Sequence, residues 1–253
     1  MSALRKNGNP VLVLDGVCKS FGGVKAAADI SVELYGGEVF GLIGPNGAGK
    51  STLVNLITGI YTADKGRISM GSKNITKLPT YKRARLGIAR SFQHPRLLDR
   101  CTVRTNIMMG ADLANKRTKA TGDAQQEEIQ LLLQSSGLEK VNLDDGVDKL
   151  SYGQQKLLEL VRAILSEPQV MLLDEPAAGL NNKEMDYIVA LIDIAVQKNI
   201  SVLLIEHSMD LVMSVCDRIT VLNFGQQIAS GTPAEIQADP AVIDAYLGGC
   251  ANA

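Results

Sequence analysis

Three short segments of the chain are apolar at every position, and they span residues 39–43, 170–173 and 202–205. Short continuous apolar runs are typical of strands that are buried on both faces, as in a parallel sheet. Polar residues follow each run, beginning at Gly44, Asp174 and Glu206. Because ligands of open α/β sheets bind beyond the carboxyl ends of the strands, we expect the chemistry at this edge.

The rest of the chain alternates between short strand patterns and helical patterns. Residues 11–14, 30–34 and 67–70 are predicted strands, and residues 219–222 and 226–229 flank Asn223-Phe224-Gly225 in a predicted hairpin. Residues 125–138 have a helical pattern. A second helix is predicted to begin at Ser151, with Gln154 completing a capping box and an apolar stripe following. Residues 111–126 are polar and rich in small residues, which predicts an exposed helix or loop.

Composition limits the possible functions. The 253 residues carry 26 Lys and Arg against 27 Asp and Glu, a balance that disfavours a dedicated nucleic-acid-binding protein. The four cysteines form no CxxC pair, which favours free thiols in a reducing compartment. Residues 1–10 are polar and do not resemble a signal peptide, and no run reaches the about 18 apolar residues of a membrane span. We therefore expect a chain that reaches a membrane only by docking to a partner.

The strongest motif follows the first apolar run. Gly44-Pro45-Asn46-Gly47-Ala48-Gly49-Lys50-Ser51 matches the phosphate-loop pattern GxxxxGK[ST]. Glycines allow the positive φ angles that turn backbone N–H groups inward, and the following helix N-terminus completes an anion site. Lys50 is expected to reach the β- and γ-phosphates of ATP, the Ser51 hydroxyl to coordinate Mg²⁺, and Thr52 to bind the α-phosphate. A Gly-rich turn with an exposed lysine is the alternative, but the apolar strand and helix around the motif favour nucleotide binding.

Two carboxylates end the second apolar run. Asp174 is expected to hold the Mg²⁺ shell through water, and Glu175 to act as the general base that polarises the attacking water. Strands that end in solvated acids are common. The phosphate loop earlier in the same chain nevertheless favours the catalytic interpretation.

A further motif resembles the ABC ATPase family. Leu150-Ser151-Tyr152-Gly153-Gln154 precedes the acidic strand and is similar to the LSGGQ signature of that family. Ser151 and Gly153 begin a helix, so they present a hydroxyl, backbone N–H groups and a positive helix end. The resemblance implies that two cassettes meet head to tail, with each signature, Gln154 included, capping the ATP of the partner. A simple N-cap role for Ser151 is the alternative, and both roles are compatible.

Three other residues resemble elements of the same family. Gln93 is similar to the Q-loop glutamine that senses Mg²⁺ and the attacking water, and that couples the two lobes. His207 is similar to the switch histidine at the γ-phosphate, although a histidine at a strand end is often structural. Phe21 is similar to the aromatic residue that stacks on adenine, a contact worth about 1–3 kcal/mol. A core phenylalanine is the alternative for Phe21.

Two departures from the family pattern point to a subgroup. Tyr152 stands where the signature usually has Gly, and Asn181 stands where most D-loops have Asp. The lost charge at Asn181 puts the cross-subunit contact of that position in doubt. Both variants, with residues 205–213 and the ending at 231–248, resemble the cassettes of branched-chain amino-acid importers.

The resemblance extends over residues 11–248 and implies an α/β fold. We expect a phosphate-loop NTPase core with a mainly parallel sheet, an antiparallel β subdomain and an inserted helical subdomain, all within one ABC nucleotide-binding domain. The predicted division assigns residues 1–92 and 166–230 to the core α/β and β subdomains. Residues 93–165 form the helical subdomain and residues 231–253 a C-terminal tail.

The implied function is ATP hydrolysis, with ATP and Mg²⁺ as cofactors, that powers amino-acid import at the cytoplasmic face of the inner membrane. The implied partners are a second cassette in a homo- or heterodimer, integral membrane permease subunits docked near residues 93–104, and indirectly a solute-binding protein. Nucleic acid is not expected as a partner. An exporter or lipid-transport ABC system remains an alternative. A soluble ABC protein acting on nucleic acid or ribosomes is disfavoured by the single cassette and the near-neutral charge.

Overall fold

A computed structural model describes residues 8–118 and 123–247 of the chain. Cys250, the end of the predicted C-terminal tail and part of the predicted 111–126 segment lie outside the described residues. The strands are β1 (Leu12–Phe21), β2 (Val24–Leu34), β3 (Val39–Ile43), β4 (Lys65–Met70), β5 (Lys73–Asn74), β6 (Ile88–Arg90), β7 (Val170–Asp174), β8 (Ser201–Ile205), β9 (Arg218–Asn223) and β10 (Gln226–Gly231).

Two helices come before β6 in the chain, and the other helices of the described residues come after it. These helices are α1 (Lys50–Thr58), α2 (Thr80–Arg85), α3 (Val103–Thr118), α4 (Asp123–Ser135), α5 (Tyr152–Leu165), α6 (Asn182–Gln197), α7 (Met209–Val215), α8 (Pro233–Ala238) and α9 (Pro240–Leu247). A single 3₁₀ turn at Val147–Lys149 precedes α5. No helix in the described part of the chain is both long and apolar enough to span a membrane.

The central sheet has the order β10-β9-β3-β8-β7-β6, and its strands are parallel except for β10. The three apolar runs of the sequence form β3, β7 and β8, which are neighbours in this sheet and are buried on both faces. Their carboxyl ends therefore lie side by side, as predicted. This placement brings the phosphate loop and the two carboxylates to one edge.

A second, antiparallel sheet has the order β2-β1-β4-β5. It contains the three short strands predicted at residues 11–14, 30–34 and 67–70. β1 and β2 are longer than predicted. Register shifts after Leu14 interrupt the alternation of buried and exposed residues, so the sequence pattern covers only part of each strand. Apolar residues of both sheets, including Leu12, Phe40 and Leu172, form one core cluster with Leu53 and other buried residues of α1. The helix that follows the phosphate loop is thus fixed between two sheets.

The region between β6 and β7 is helical, as predicted, and contains α3, α4 and α5. Ser151 is the N-cap of α5, and its side chain and that of Gln154 form the predicted capping box. Residues 111–126 are helical where the structure describes them, and they are exposed only in part: Asp112, Leu113 and Gln126 are exposed, whereas Ala111 and Ala114 of α3 are buried. The small residues here allow close packing: a Cβ on Gly110 would clash with the main-chain oxygen of Arg162 in α5.

The predicted hairpin is present as β9 and β10. Its two turn residues, Phe224 and Gly225, have φ angles of 45° and 75°, as the tight two-residue turns of hairpins require. Gly225 donates from its N–H to the oxygen of Ala48 at 2.9 Å and accepts from the N–H of Ala28 at 2.7 Å. The turn therefore supports the phosphate loop from the side.

Candidate functional site

The phosphate loop connects β3 to α1. Gly44, Gly47 and Gly49 have φ angles of 149°, 79° and 105°, which side-chain-bearing residues rarely adopt. A Cβ on Gly44 would clash with the oxygen of Leu222, and one on Gly49 with the oxygen of Ala26. Glycine is therefore required at these two positions by both the backbone angle and the available space.

Lys50 lies at the first position of α1 with its side chain buried. Its Nζ donates to the main-chain oxygens of Gly44 at 2.6 Å and Pro45 at 3.1 Å. Burial lowers the pKa of Lys50, and the charges of Glu175 and Asp174 oppose that shift. A buried ammonium beside backbone N–H groups suits a phosphate anion, since an anion would compensate its charge.

The phosphate loop, Glu175 and His207 line one cleft of about 200 Å³. Ala26 and Ile205 also line it. Most of the predicted nucleotide-binding residues lie on its wall, namely Asn46, Gly47, Ala48, Gly49, Lys50, Ser51 and Thr52. Three parts of the chain that are distant in sequence thus meet in one cleft, and it is polar where phosphates would lie.

Glu175 is held at both carboxylate oxygens. Its Oε1 lies 3.0 Å from Nε2 of His207, and its Oε2 accepts from Nε2 of Gln93 at 3.1 Å. Its backbone has a φ of 51°, which costs a residue with a Cβ about 1–2 kcal/mol. The structure therefore brings together the three residues predicted to be catalytic, and it holds the central carboxylate in a strained backbone position typical of functional sites.

Asp174 is paired with a residue that the motifs did not indicate. Nη2 of Arg90 donates to Oδ2 of Asp174 at 2.8 Å, and Nη1 of Arg90 donates to Oδ1 of Asn55 in α1 at 2.8 Å. The guanidinium also lies 4.8 Å from the ring centroid of Phe92, next to Gln93. Arg90 thus connects the end of β7, the helix α1 and the segment that carries Gln93. No motif in the sequence indicates Arg90, because it lies at the end of only a short edge strand, β6.

The predicted metal-contacting residues offer hydroxyl, amide and carboxylate oxygens, from Ser51, Gln93 and Asp174. These are the ligand types that Mg²⁺ prefers, and Mg²⁺ usually takes only one or two carboxylates, with water and substrate phosphates completing its shell. Within residues 8–118 and 123–247, no cluster of three or more His, Cys, Asp or Glu side chains could hold a metal ion on its own. The donor set therefore fits a metal ion that arrives with a nucleotide.

The signature residues lie apart from the cleft. Of the described residues, those that line it include none of Ser151, Gly153 and Gln154. The Ser151 hydroxyl accepts from the N–H of Gln154 at 3.2 Å, so its N-cap role is present. A Cβ on Gly153 would clash with the carboxylate of Glu184, which gives this glycine a packing reason of its own. The chain thus has two separate candidate anion sites.

Asn181, the departure in the D-loop, is the N-cap of α6. Its Oδ1 accepts from the N–H of Glu184 at 3.0 Å, and its own N–H donates to Oε2 of Glu184 at 3.0 Å. Asn and Asp are similarly good N-caps. The substitution therefore leaves the helix start intact.

Phe21 is not a core residue, because 42% of it is exposed. Its ring meets that of Tyr61 edge to face, with centroids 5.1 Å apart. An exposed, laterally supported aromatic ring at the end of β1 suits stacking on a planar base. Tyr61 was missed in the sequence because nothing local connects it to Phe21.

Comparison with known protein families and relatives agrees with this geometry. Residues 27–178 match the family described as ABC transporter, and residues 226–249 match the family described as Branched-chain amino acid ATP-binding cassette transporter. The chain is 39% identical to the high-affinity branched-chain amino acid transport ATP-binding protein LivG of Escherichia coli (strain K12), over 94% of this chain and 98% of that one. It is 40% identical to the corresponding protein BraF of Pseudomonas aeruginosa, with the same coverage.

Solved structures show the same fold. The crystal structure of the ADP conformation of MJ1267, an ATP-binding cassette of an ABC transporter, superposes with a TM-score of 0.81 at 33% identity, covering 95% of this chain and 100% of that one. A nucleotide-free ATP-binding cassette from an ABC transporter superposes with a TM-score of 0.79 at 32% identity, covering 94% and 98% of the two chains. The predicted α/β cassette fold is thereby confirmed.

Proposed function

Since this chain belongs to the ABC transporter family of ATP-binding subunits, we propose that it hydrolyses ATP to power the import of branched-chain amino acids. The importer assignment is supported by the C-terminal match at residues 226–249 and by the identity to two such subunits. The observation that carries the catalytic part is the Glu175 carboxylate, held between Gln93 and His207 at the phosphate-loop cleft.

The phosphate loop binds the ATP phosphates through its inward N–H groups and the N-terminus of α1. Lys50 exchanges its bonds to the oxygens of Gly44 and Pro45 for the β- and γ-phosphates, and Thr52 binds the α-phosphate. Phe21 stacks on the adenine. Mg²⁺, when bound, neutralises charge that develops on the phosphates, and Ser51, Asp174 and Gln93 are the residues that would hold it.

Glu175 orients the attacking water and accepts its proton as the water oxygen bonds to the γ-phosphorus and the bond from that phosphorus to the β–γ bridging oxygen breaks, which releases ADP. His207 contacts the γ-phosphate, and Gln93 holds the other side of the Glu175 carboxylate. Both neighbours lie within hydrogen-bond distance of Glu175, so they position the base.

A second cassette completes the site. The N-terminus of α5, with Ser151, Gly153 and Gln154, is the second anion site and caps the γ-phosphate bound to the partner. These residues do not line the cleft of their own chain, which supports this arrangement. The partner is either a copy of this chain or a related cassette.

Permease subunits dock on the groove between α2 and β6 on one side and α3 and α5 on the other. The groove has a volume of about 720 Å³ and includes the exposed side chains of Tyr81 and Met109 beside Arg85 and Arg162. It lies next to residues 93–104 and does not coincide with them. Exposed apolar side chains beside charged ones are typical of protein–protein contacts. Docked in this way, the chain lies at the cytoplasmic face of the membrane. A solute-binding protein is then only an indirect partner, through the permease subunits.

The test uses Glu175→Gln, with Glu139→Gln at an exposed position as the matched control. We expect Glu175→Gln to lose hydrolysis by about 10²-fold or more, as for loss of a general base, and to form a stable ATP-bound dimer in size-exclusion chromatography. Normal hydrolysis by this variant would refute the role of Glu175. Purification of the chain with its permease subunits, followed by ATPase assays in vesicles, tests the import assignment. Stimulation by internal rather than external substrate would support an exporter instead.

A further inference from the structure

Three polar residues lie on one face of α5, at the helical spacing i, i+4 and i+7: Tyr152, Lys156 and Glu159. Lys156 and Glu159 are only 2% and 3% exposed, although both carry charges. Burying a charge is costly unless hydrogen bonds compensate it. The partners of these residues therefore indicate what the face is for.

Lys156 binds the main chain that follows β7. Its Nζ donates to the oxygens of Glu175 at 2.9 Å, Pro176 at 3.2 Å and Ala178 at 2.9 Å. An ammonium has three N–H donors, so each has an acceptor in this segment. Lys156 is thus held by the backbone that carries the general base.

Glu206 binds backbone N–H groups of the segment that follows β7 and of His207. Its Oε1 accepts from the N–H of Ala177 at 2.8 Å, and its Oε2 accepts from the N–H of His207 at 3.1 Å. The carboxylate is buried. Residues 175–178 therefore lie between a buried cation and a buried anion, each bound to the complementary groups of the backbone.

The other two residues of the face bind the Q-loop. The Tyr152 hydroxyl donates to the oxygen of Gln93 at 2.9 Å. Glu159 accepts at Oε1 from the N–H of Arg96 at 2.8 Å and at Oε2 from the N–H of Phe92 at 3.4 Å. One helix face thus contacts the backbone of two of the three segments that carry the catalytic side chains, those of Gln93 and Glu175.

We propose that Tyr152, Lys156 and Glu159 are positioning residues that make the signature helix move together with the segments carrying Gln93 and Glu175. This assignment rests on the proposed function. When Ser151 binds the ATP of the partner, the Glu175 carboxylate of the same chain as Ser151 is brought into its catalytic position. The two ATP sites of the dimer are then coupled through α5, and hydrolysis depends on ATP at both.

The central test is Lys156→Met, which keeps most of the side-chain volume and removes all three donors. Lys149→Met is the matched control, because Lys149 lies on the preceding 3₁₀ turn with its side chain 63% exposed. We expect Lys156→Met to lower kcat by about 10²-fold, as a misplaced catalytic group does, with KM for ATP within about twofold. Its Hill coefficient for ATP should fall to 1, and amides of residues 175–181 should exchange hydrogen faster. Lys149→Met should change none of these.

Two further variants keep the proposal open to refutation if Lys156→Met folds poorly. Lys156→Gln restores N–H donors without the charge and should regain part of kcat and cooperativity. Tyr152→Phe removes only the bond to Gln93 and should lower cooperativity while fluorescent ATP binding is unchanged.

A wild-type kcat and Hill coefficient in Lys156→Met would overturn the proposal. So would a loss of ATP binding and thermal stability in both Lys156 variants that accounts for the whole loss of rate, because the role would then be structural only. Failure of Glu175→Gln to trap a dimer, in an otherwise unchanged chain, would instead contradict the proposed function.

Discussion

Arg83 on α2 offers a sharp test of how the phosphate helix is anchored. It is 1% exposed, and its guanidinium donates to four main-chain oxygens: Leu56 at 2.6 Å, Ile57 at 2.8 Å, Leu78 at 2.8 Å and Thr76 at 2.9 Å. Two of these acceptors belong to the last turn of α1, where helix carbonyls lack intrahelical partners. Arg83 therefore caps the carboxyl end of α1, the helix whose amino end follows the phosphate loop.

The substitution Arg83→Met leaves four main-chain acceptors without this donor, two of them in buried and two in part-buried hydrogen bonds. At about 1 kcal/mol net for each hydrogen bond, the free energy of unfolding should fall by about 4 kcal/mol. For a domain of this size, the expected fall in Tm is about 8–16 °C.

Urea unfolding followed by circular dichroism measures the free energy, and calorimetry measures Tm. Arg85→Met, on the same helix, is the control: Arg85 is exposed and lies over the Tyr81 ring at 5.7 Å, so its change should stay within about 0.5 kcal/mol. If Arg83→Met loses less than about 1 kcal/mol, the carbonyls find other partners, and the anchoring role is wrong.

Three other predictions follow from single positions. Phe21→Ala should raise the Kd for ATP by the equivalent of about 1–3 kcal/mol in calorimetric titration, and an unchanged Kd would exclude adenine stacking. Gly49→Ala places a Cβ against the oxygen of Ala26 at a φ of 105° and should weaken ATP binding by about tenfold or more in the same titration. Burial raises the pKa of the Cys216 thiol to about 12, so it should resist iodoacetamide at a pH where half-exposed Cys101 reacts, as read by mass spectrometry. The Cys216 thiol of the unfolded chain ionises near pH 8.5. The stability that the buried neutral thiol contributes should therefore be complete below that pH and lost as the pH rises toward 12.

Much of the candidate site was predicted from contiguous residues. The phosphate loop needs glycines, a lysine and a hydroxyl at fixed spacing, so residues 44–51 could be identified without a fold. The apolar run before Asp174 and Glu175 and the capping box at Ser151 are equally local. The three buried runs indicated a parallel sheet, and the structure confirms that they are neighbours.

The positions of the supporting charges could not be predicted in this way. Lys149 and Lys156 are the same residue type seven positions apart, yet one is exposed and the other is buried against residues 175–178. Arg83 and Arg90 likewise appear as ordinary surface charges in the sequence. Small residues in 111–126 suggest exposure in the sequence, yet Ala111 and Ala114 are buried, and the neighbouring Gly110 allows close contact with α5.

The sequence by itself determined which chemistry this chain carries, because a phosphate loop and an acidic strand end depend on neighbouring residues. Only the tertiary structure decided what holds that chemistry in place. A buried charge is stable only where a specific set of backbone groups faces it. Which groups face it depends on how helices pack against loops distant in the chain, and no local pattern encodes that packing.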